Sequence, residues 1–319
     1  MRLKVKDMEA KMKGKIKGTG SYIPKKIIHN HDLEQMVDTS DKWITERTGI
    51  SKRHVMDDES VSYMAYKAAK DALSNANIAA NEVDLIIVST ICSNNLLPCA
   101  ACEVQKMLGA FNATCFDLNA ACTGFIYAYN TAEAYIKAGM YKTALIIGSE
   151  GMSDLVDWKD RGTCILFGDG AGAAVVTADE DDEEYLMVSK SFGDKGEALI
   201  CKKDGFIEMD GQAVFRFAVK EVSNAINDLL KINHLKTEDI DYFVLHQANQ
   251  RIVESVAKRI NVDVDKCPMN LQECGNTSSA SVPILLDELN KSGKLKKGMK
   301  LVMAGFGAGL SIGADIIKW

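Results

Sequence analysis

Displaced against itself by 157 positions, the sequence matches over more than 90 residues. Val83-Asp84-Leu85-Ile86-Ile87-Val88 falls on Ile240-Asp241-Tyr242-Phe243-Val244-Leu245. Leu145-Ile146-Ile147-Gly148 falls on Val302-Met303-Ala304-Gly305, and Asn119 falls on Asn276. Upstream, Ala65 to Leu73 falls on Val222 to Leu230, with apolar residues at helical spacing in both copies. One constant offset over such a span means one α/β unit used twice. Each copy reads as helix, buried strand, helix-opening loop, apolar helix and second buried strand. The strands are continuous apolar runs, as expected where both faces of a sheet are covered. The helix from Cys122 to Ala138 is apolar almost all round, which places it at the centre. The expected organisation is two intimately packed halves, 13–180 and 181–319, joined by the acidic stretch Asp179 to Glu184, with residues 1–12 as an N-terminal extension.

Three segments carry chemistry: Leu118-Asn119-Ala120-Ala121-Cys122-Thr123-Gly124, His246-Gln247-Ala248-Asn249, and Gly275-Asn276-Thr277-Ser278-Ser279-Ala280-Ser281. Cys122 follows a strand-like run, Thr114 to Leu118, and opens the central helix. Helix dipole and free N–H groups there favour a thiolate. His246 ends the run Tyr242 to Leu245, where ligand crevices form in open α/β sheets. Asn276 lies in a Gly/Ser/Thr loop that begins another helix; capping is its plain structural role. The offset makes the Cys122 and Asn276 loops equivalent, so a pseudo-two-fold axis brings them face to face. Thiol, imidazole and carboxamide in one place suffice for acyl transfer followed by carbanion chemistry.

Composition narrows the class. A hydrophobic content of 47% with four prolines indicates a compact fold. The nine scattered cysteines read as reduced thiols in a cytoplasm. Cys99-Ala-Ala-Cys102 has CxxC spacing without a second pair and reads as structural thiols. No histidine spacing suggests a metal site. A formal charge of −6 disfavours nucleic acid. No apolar run is long enough for a membrane span, and the N-terminus lacks the apolar core of a signal peptide.

At these residues the chain resembles the β-ketoacyl-acyl carrier protein synthase III family of the thiolase fold. The resemblance runs from Lys13 to Trp319 and adds two motifs, Phe167-Gly168-Asp169-Gly170-Ala171-Gly172-Ala173 and Ser40 to Ile50. It implies a layered α-β-α-β-α fold and a homodimer. Cys122 would attack an acyl-CoA primer, and His246 and Asn276 would stabilise the enolate formed as malonyl-acyl carrier protein loses carbon dioxide. Backbone N–H groups of Cys122 and of the turn at Ala308 would hold the tetrahedral oxyanion. Trp43, Arg47, Arg161, Thr39 and Asn249 would bind coenzyme A, which is substrate and not cofactor. Arg251, Lys258 and Arg259 would meet the acidic carrier protein. Leu97, where the family often has Phe, would close the primer pocket from the partner subunit, and its smaller side chain suggests longer or branched primers.

Rivals have less support. Gly305 to Gly313 lacks the second cysteine of a degradative thiolase, and Ser89 to Leu97 lacks the acid of a hydroxymethylglutaryl-CoA synthase. A papain-like hydrolase runs Cys, His, Asn in the same order without a duplicated fold. A non-catalytic relative would have lost one of the three groups. A ketosynthase of a specialised polyketide pathway remains the alternative within the class.

Overall fold

The computed structural model describes residues 12–180 and 185–319. The expected extension, apart from Met12, and most of the acidic connection lie outside the described residues.

The first half opens with β1 (Met12–Tyr22), then β2 (Lys26–His29), α1 (Asn30–Leu33), α2 (Asp41–Thr48) and β3 (Lys52–Val55). There follow α3 (Val61–Ala76), β4 (Leu85–Ser89), α4 (Ala100–Leu108), β5 (Thr114–Leu118) and α5 (Gly124–Lys137). It ends with β6 (Thr143–Glu150), α6 (Arg161–Cys164) and β7 (Gly170–Glu180). The second half has β8 (Val188–Ser191), β9 (Leu199–Cys201), β10 (Ile207–Met209), α7 (Gly211–Ile232) and β11 (Tyr242–Leu245). It continues through α8 (Gln250–Arg259), α9 (Leu271–Cys274), α10 (Ser281–Lys291), β12 (Lys300–Gly307) and β13 (Ser311–Lys318).

Two mixed sheets form the frame, ordered β1-β7-β6-β4-β5 and β11-β12-β13-β8. All strands of the first come from 12–180 and all strands of the second from 188–318. The apolar runs sort by alternation, as a strand's side chains must. Ile86 and Val88 of β4 face outward onto α3 and α4, whereas Leu85 and Ile87 face inward. Phe243 and Leu245 of β11 face α7 and α8, and Val244 faces inward. Between the two inner faces lie α5 and α10, sharing one core through Phe125, Tyr129, Ile136, Leu285, Leu286 and Leu289. The layers therefore run α-β-α-β-α.

The offset holds element by element at the centre. β6 maps onto β12 residue for residue, and the turn Ala121–Thr123 maps onto Ser278–Ala280. Two departures build the site. Residues 151–169 connect β6 to β7, whereas 308–310 suffice between β12 and β13. The run equivalent to β5 forms α9 instead of a strand, so among the described residues the second sheet has four members. Asp117 of β5 ties its strand to α4 by accepting from Ala100 N and Ala101 N, both at 2.8 Å.

Candidate active site

Cys122 sits in a tight 3-10 turn, and α5 proper begins two residues later at Gly124. The residue before it, Ala121, has φ 47°, and its counterpart Ser278 has φ 50°. A left-handed non-glycine costs about 1–2 kcal/mol, so each turn is held in place by its surroundings. The cause lies in the opposite half. A Cβ on Gly148 of β6 would stand 2.5 Å from Ser279 O, and one on Gly307 of β12 would stand 2.7 Å from Cys122 N. Each helix-opening turn thus presses onto the other half's strand. At Gly307 the absent side chain leaves room beside the Cys122 N–H.

Cys122, His246 and Asn276 line one cleft of about 840 Å³, part of it open to solvent. His246 is 2% exposed and continues the ladder past β11, its N–H bonded to Ala304 O at 2.8 Å. Its Nδ1 lies 2.7 Å from Ser281 Oγ, which also accepts from Gln247 N at 3.4 Å. With the Ser281 hydroxyl donating to Nδ1, the neutral ring carries its proton on Nε2 and presents it as a donor. Burial drives this imidazole down to about 3, so it is neutral near pH 7. The Phe306 ring packs on it in an edge-to-face arrangement at a centroid distance of 5.3 Å. Asn276 Oδ1 accepts from Ser278 N at 2.9 Å, which leaves its Nδ2 hydrogens to donate. Its backbone is clamped to the 151–169 connection through Leu166 O and Gly168 N.

The thiolate favoured at a helix start meets an opposing influence. Burial is the largest influence on Cys122 and pushes its thiol up to about 12. Desolvation disfavours the charged form, in opposition to the helix end. In the resting site thiol and imidazole are both neutral.

Ala308 flanks Cys122 in a second pocket of about 340 Å³, lined by Ile91, Met152, Phe167, Leu199 and Ile207. Its φ is not in the left-handed region, so Ala serves where a glycine is not required. At the mouth of the cleft are Arg47 and Asn249. Asn249 caps α8 through Arg251 N at 2.8 Å and donates to Arg47 O at 3.1 Å, joining α8 to the end of α2. The Trp43 ring has Arg161 at 4.9 Å and Arg47 at 5.3 Å from its centroid. Arg161 also donates to Asp38 O at 2.9 Å. Thr39 Oγ1 is hidden without a partner. Trp43, Arg161 and Thr39 stand beside the mouth and do not line the cleft.

Arg251, Lys258 and Arg259 are exposed on α8, and Arg251 also lies 5.6 Å from the Phe215 ring centroid at the cleft rim. Leu97 is 87% exposed and lines neither pocket of its own chain. Cys99 and Cys102 have their Sγ atoms 3.5 Å apart at the start of α4 and line neither pocket. No cluster among the described residues could hold a metal ion. Sequence reading passed over Glu150, Ser278 and Ser281. The signal for Glu150 was present: it ends the apolar run of β6, as His246 ends that of β11.

Residues 116–210 match the family described as 3-oxoacyl-[acyl-carrier-protein (ACP)] synthase III, and 230–319 match its C-terminal counterpart. The beta-ketoacyl-[acyl-carrier-protein] synthase III of Clostridium acetobutylicum is 46% identical, covering 95% of this chain and 97% of that protein. That of Clostridium novyi is 47% identical, covering 96% and 98%. The crystal structure of the Aquifex aeolicus 3-oxoacyl-[acyl-carrier-protein] synthase III superposes with a TM-score of 0.94 at 44% identity, over 96% of this chain and 100% of that one. The duplicated five-layer fold, the near-complete coverage and this level of identity agree: the chain belongs to the 3-oxoacyl-[acyl-carrier-protein] synthase III family, acyltransferases of the thiolase fold.

Proposed function

We propose that the cleft performs the decarboxylative condensation of an acyl-CoA primer with malonyl-acyl carrier protein, initiating fatty acid synthesis through an acyl group on Cys122. The observation that carries this reading is one cleft lined by the thiol, the imidazole and the carboxamide, with Arg47 and Asn249 at its mouth. Arg47 meets CoA phosphate as a charge-assisted donor, and Trp43, braced by Arg161, offers its ring to the adenine. Thr39 and Asn249 complete that subsite. The thioester reaches Cys122 with its carbonyl oxygen towards the N–H groups of Cys122 and Ala308, and the acyl chain enters the apolar second pocket. After CoA leaves, the malonyl thioester takes the same cleft. Nε2–H of His246 and Nδ2–H of Asn276 hold its oxygen as the carboxylate departs. A neutral imidazole suits that role, since it donates without a net charge to desolvate.

Arg251, Lys258 and Arg259 form the docking patch for the acidic carrier protein. The chain works as a homodimer in the cytoplasm. β5 is an edge strand with β4 as its one neighbour, and Leu96, Leu97 and Phe111 are exposed beside it. Leu97 reaches the partner's primer pocket, and its aliphatic side chain admits longer or branched primers.

The test is intact mass with peptide mapping after separate exposure to acetyl-CoA and isobutyryl-CoA, without malonyl donor. Acylation confined to the Cys122 peptide is expected, and the faster group names the primer class. Acylation elsewhere, or none with any short acyl-CoA, overturns the assignment of Cys122. A turnover series in which every primer beyond acetyl fails alike removes the argument from Leu97.

A further inference from the structure

Glu150 is fully buried at the end of β6, behind Cys122. Its Oε1 accepts from Ser278 Oγ at 3.2 Å and from Ser279 Oγ at 2.8 Å. Its Oε2 accepts from Thr90 Oγ1 at 3.2 Å and Ile91 N at 3.0 Å. Among the described residues no cation faces it; neutral donors alone hold the carboxylate. Ser278 Oγ in turn lies 3.4 Å from Cys122 Sγ, with the thiol as donor. The three groups form a directed chain, S–H to O–H to carboxylate.

We propose that Glu150, acting through Ser278, takes the proton of Cys122 as the thiol attacks the primer and gives it back when the condensation releases the sulfur. The inference rests on the reading of Cys122 as the acylated residue. In acylation the S–H proton passes to Ser278 Oγ while the Ser278 hydroxyl proton passes to Glu150 Oε1. The sulfur electron pair forms the new C–S bond, and the CoA sulfur leaves with its bonding pair. That thiolate takes a proton from water in the open cleft. Glu150 then holds its proton as a neutral acid throughout the life of the acyl-enzyme. In condensation the carbanion left by carbon dioxide forms the C–C bond, and the bond to Cys122 breaks. The departing thiolate recovers its proton from Ser278, which recovers its own from Glu150. One solvent proton is consumed per turnover, balancing the charge lost with the malonyl carboxylate.

Electrostatics favour such a path. Burial raises the Cys122 thiol to about 12, and the charge of Glu150 raises it further in the same direction. A thiolate beside an ionised Glu150 would place two negative charges in one desolvated spot. Moving the proton between them keeps the count at one. Burial also raises Glu150 itself, which makes it a stronger base than an ordinary carboxylate. The other titratable groups nearby do not compete. Cys92 faces Glu150 from the loop after β4 and is held protonated by burial. Asp169, beyond Cys92, is engaged by Met56 N and by Ser153 N and Oγ. His246 is driven to about 3 with Nδ1 occupied by Ser281. Glu150 is a relay and positioning residue, since Ser278 stands between it and the reacting sulfur.

The experiment is single-turnover acylation of Cys122 by an accepted acyl-CoA, followed by intact mass across acid to alkaline pH, for wild type, Glu150→Gln and Ser278→Ala. Wild type should show a plateau through neutral and alkaline pH that falls as Glu150 protonates. Glu150→Gln should lose about 10²-fold at neutral pH and regain rate about ten-fold per pH unit, because the thiol must then ionise directly. Ser278→Ala should show the same slope while Glu150 keeps its three other donors, which covers the case in which Glu150→Gln does not fold. A glutamine variant that is uniformly slower, with the wild-type profile and a lower Tm, would show a structural carboxylate and overturn the relay. A wild type never acylated on Cys122 would overturn the parent reading too, whereas acylation with parallel profiles would sink the relay alone.

Discussion

The turn Ala121–Thr123 and its counterpart Ser278–Ala280 share a backbone and differ in everything that faces the active site. Both start from a left-handed residue, and both lean on a glycine-bearing strand of the other half. Across the offset Cys122 corresponds to Ser279, His246 to Ser89, and Gly307 to Glu150. Around Cys122, Gly307 leaves space at the backbone N–H. Around Ser279 the equivalent space is filled by the Glu150 carboxyl, 2.8 Å from Ser279 Oγ. One scaffold position is thus opened by removing a side chain and its twin is closed by adding a carboxylate. The pseudo-symmetric frame supplies position; the chemistry comes from breaking the symmetry. The same holds at larger scale. The 151–169 connection supplies Gly162, Ile165, Leu166 and Phe167 to the cleft wall, which the turn at 308–310 is too short to do.

Making the two turns alike is the sharpest challenge to this contrast. Cys122→Ser copies the residue of the second turn into the first. Acylation by acyl-CoA should fall on the order of 10³-fold or more, since the alcohol is far harder to ionise than the thiol. Retention of more than a tenth of the rate, read by intact mass, would remove Cys122 from its assigned role. Next come the donors of the second half. Asn276→Ala should reduce malonyl decarboxylation by about 10²- to 10³-fold while sparing acylation of Cys122. Equal losses in both half-reactions would mean that Asn276 holds the fold of the cleft and not the enolate.

The two glycines give a third comparison. Gly307→Ala should slow acylation by about 10²-fold by crowding the oxyanion site. Gly148→Ala should act on stability, by about 1–3 kcal/mol from overpacking against Ser279. Paired denaturation and acylation assays check this, and a slow but stable Gly148→Ala enzyme would contradict it. The smallest effect is expected at Ser279→Ala, the counterpart of the nucleophile. It loses one hydroxyl donor, shared between Glu150 Oε1 at 2.8 Å and Ser89 O at 3.0 Å and contributing about 1 kcal/mol, with acylation within a few-fold of wild type. A loss as large as that of Cys122→Ser would show that Ser279 itself takes part in the chemistry.

Much of this was legible in the chain. The runs Thr114 to Leu118 and Tyr242 to Leu245 appear as strands at those bounds, and the run Val83 to Val88 appears as the strand Leu85–Ser89. His246 and Cys122 were found because a strand end and a helix start are local features, written in contiguous residues. Leu97 was legible as a pocket residue only through the family resemblance, and within its own chain it touches neither pocket. Glu150 was missed because its partners, Thr90, Ile91, Ser278 and Ser279, are up to 129 positions away. Periodicity reports which face a residue turns to the core, and says nothing about which polar atoms meet there.

The sequence by itself determined the duplication, the order of the elements and the three groups that line the cleft, because each rests on short-range spacing and on a constant offset. The tertiary structure alone decided their protonation and orientation. Desolvation is a property of the surrounding volume, and it pushes the Cys122 thiol up, against the effect of the helix end. The tautomer of His246 and the free donor of Asn276 follow from hydrogen bonds to Ser281 and Ser278. Such bonds exist only once the two halves have closed on each other.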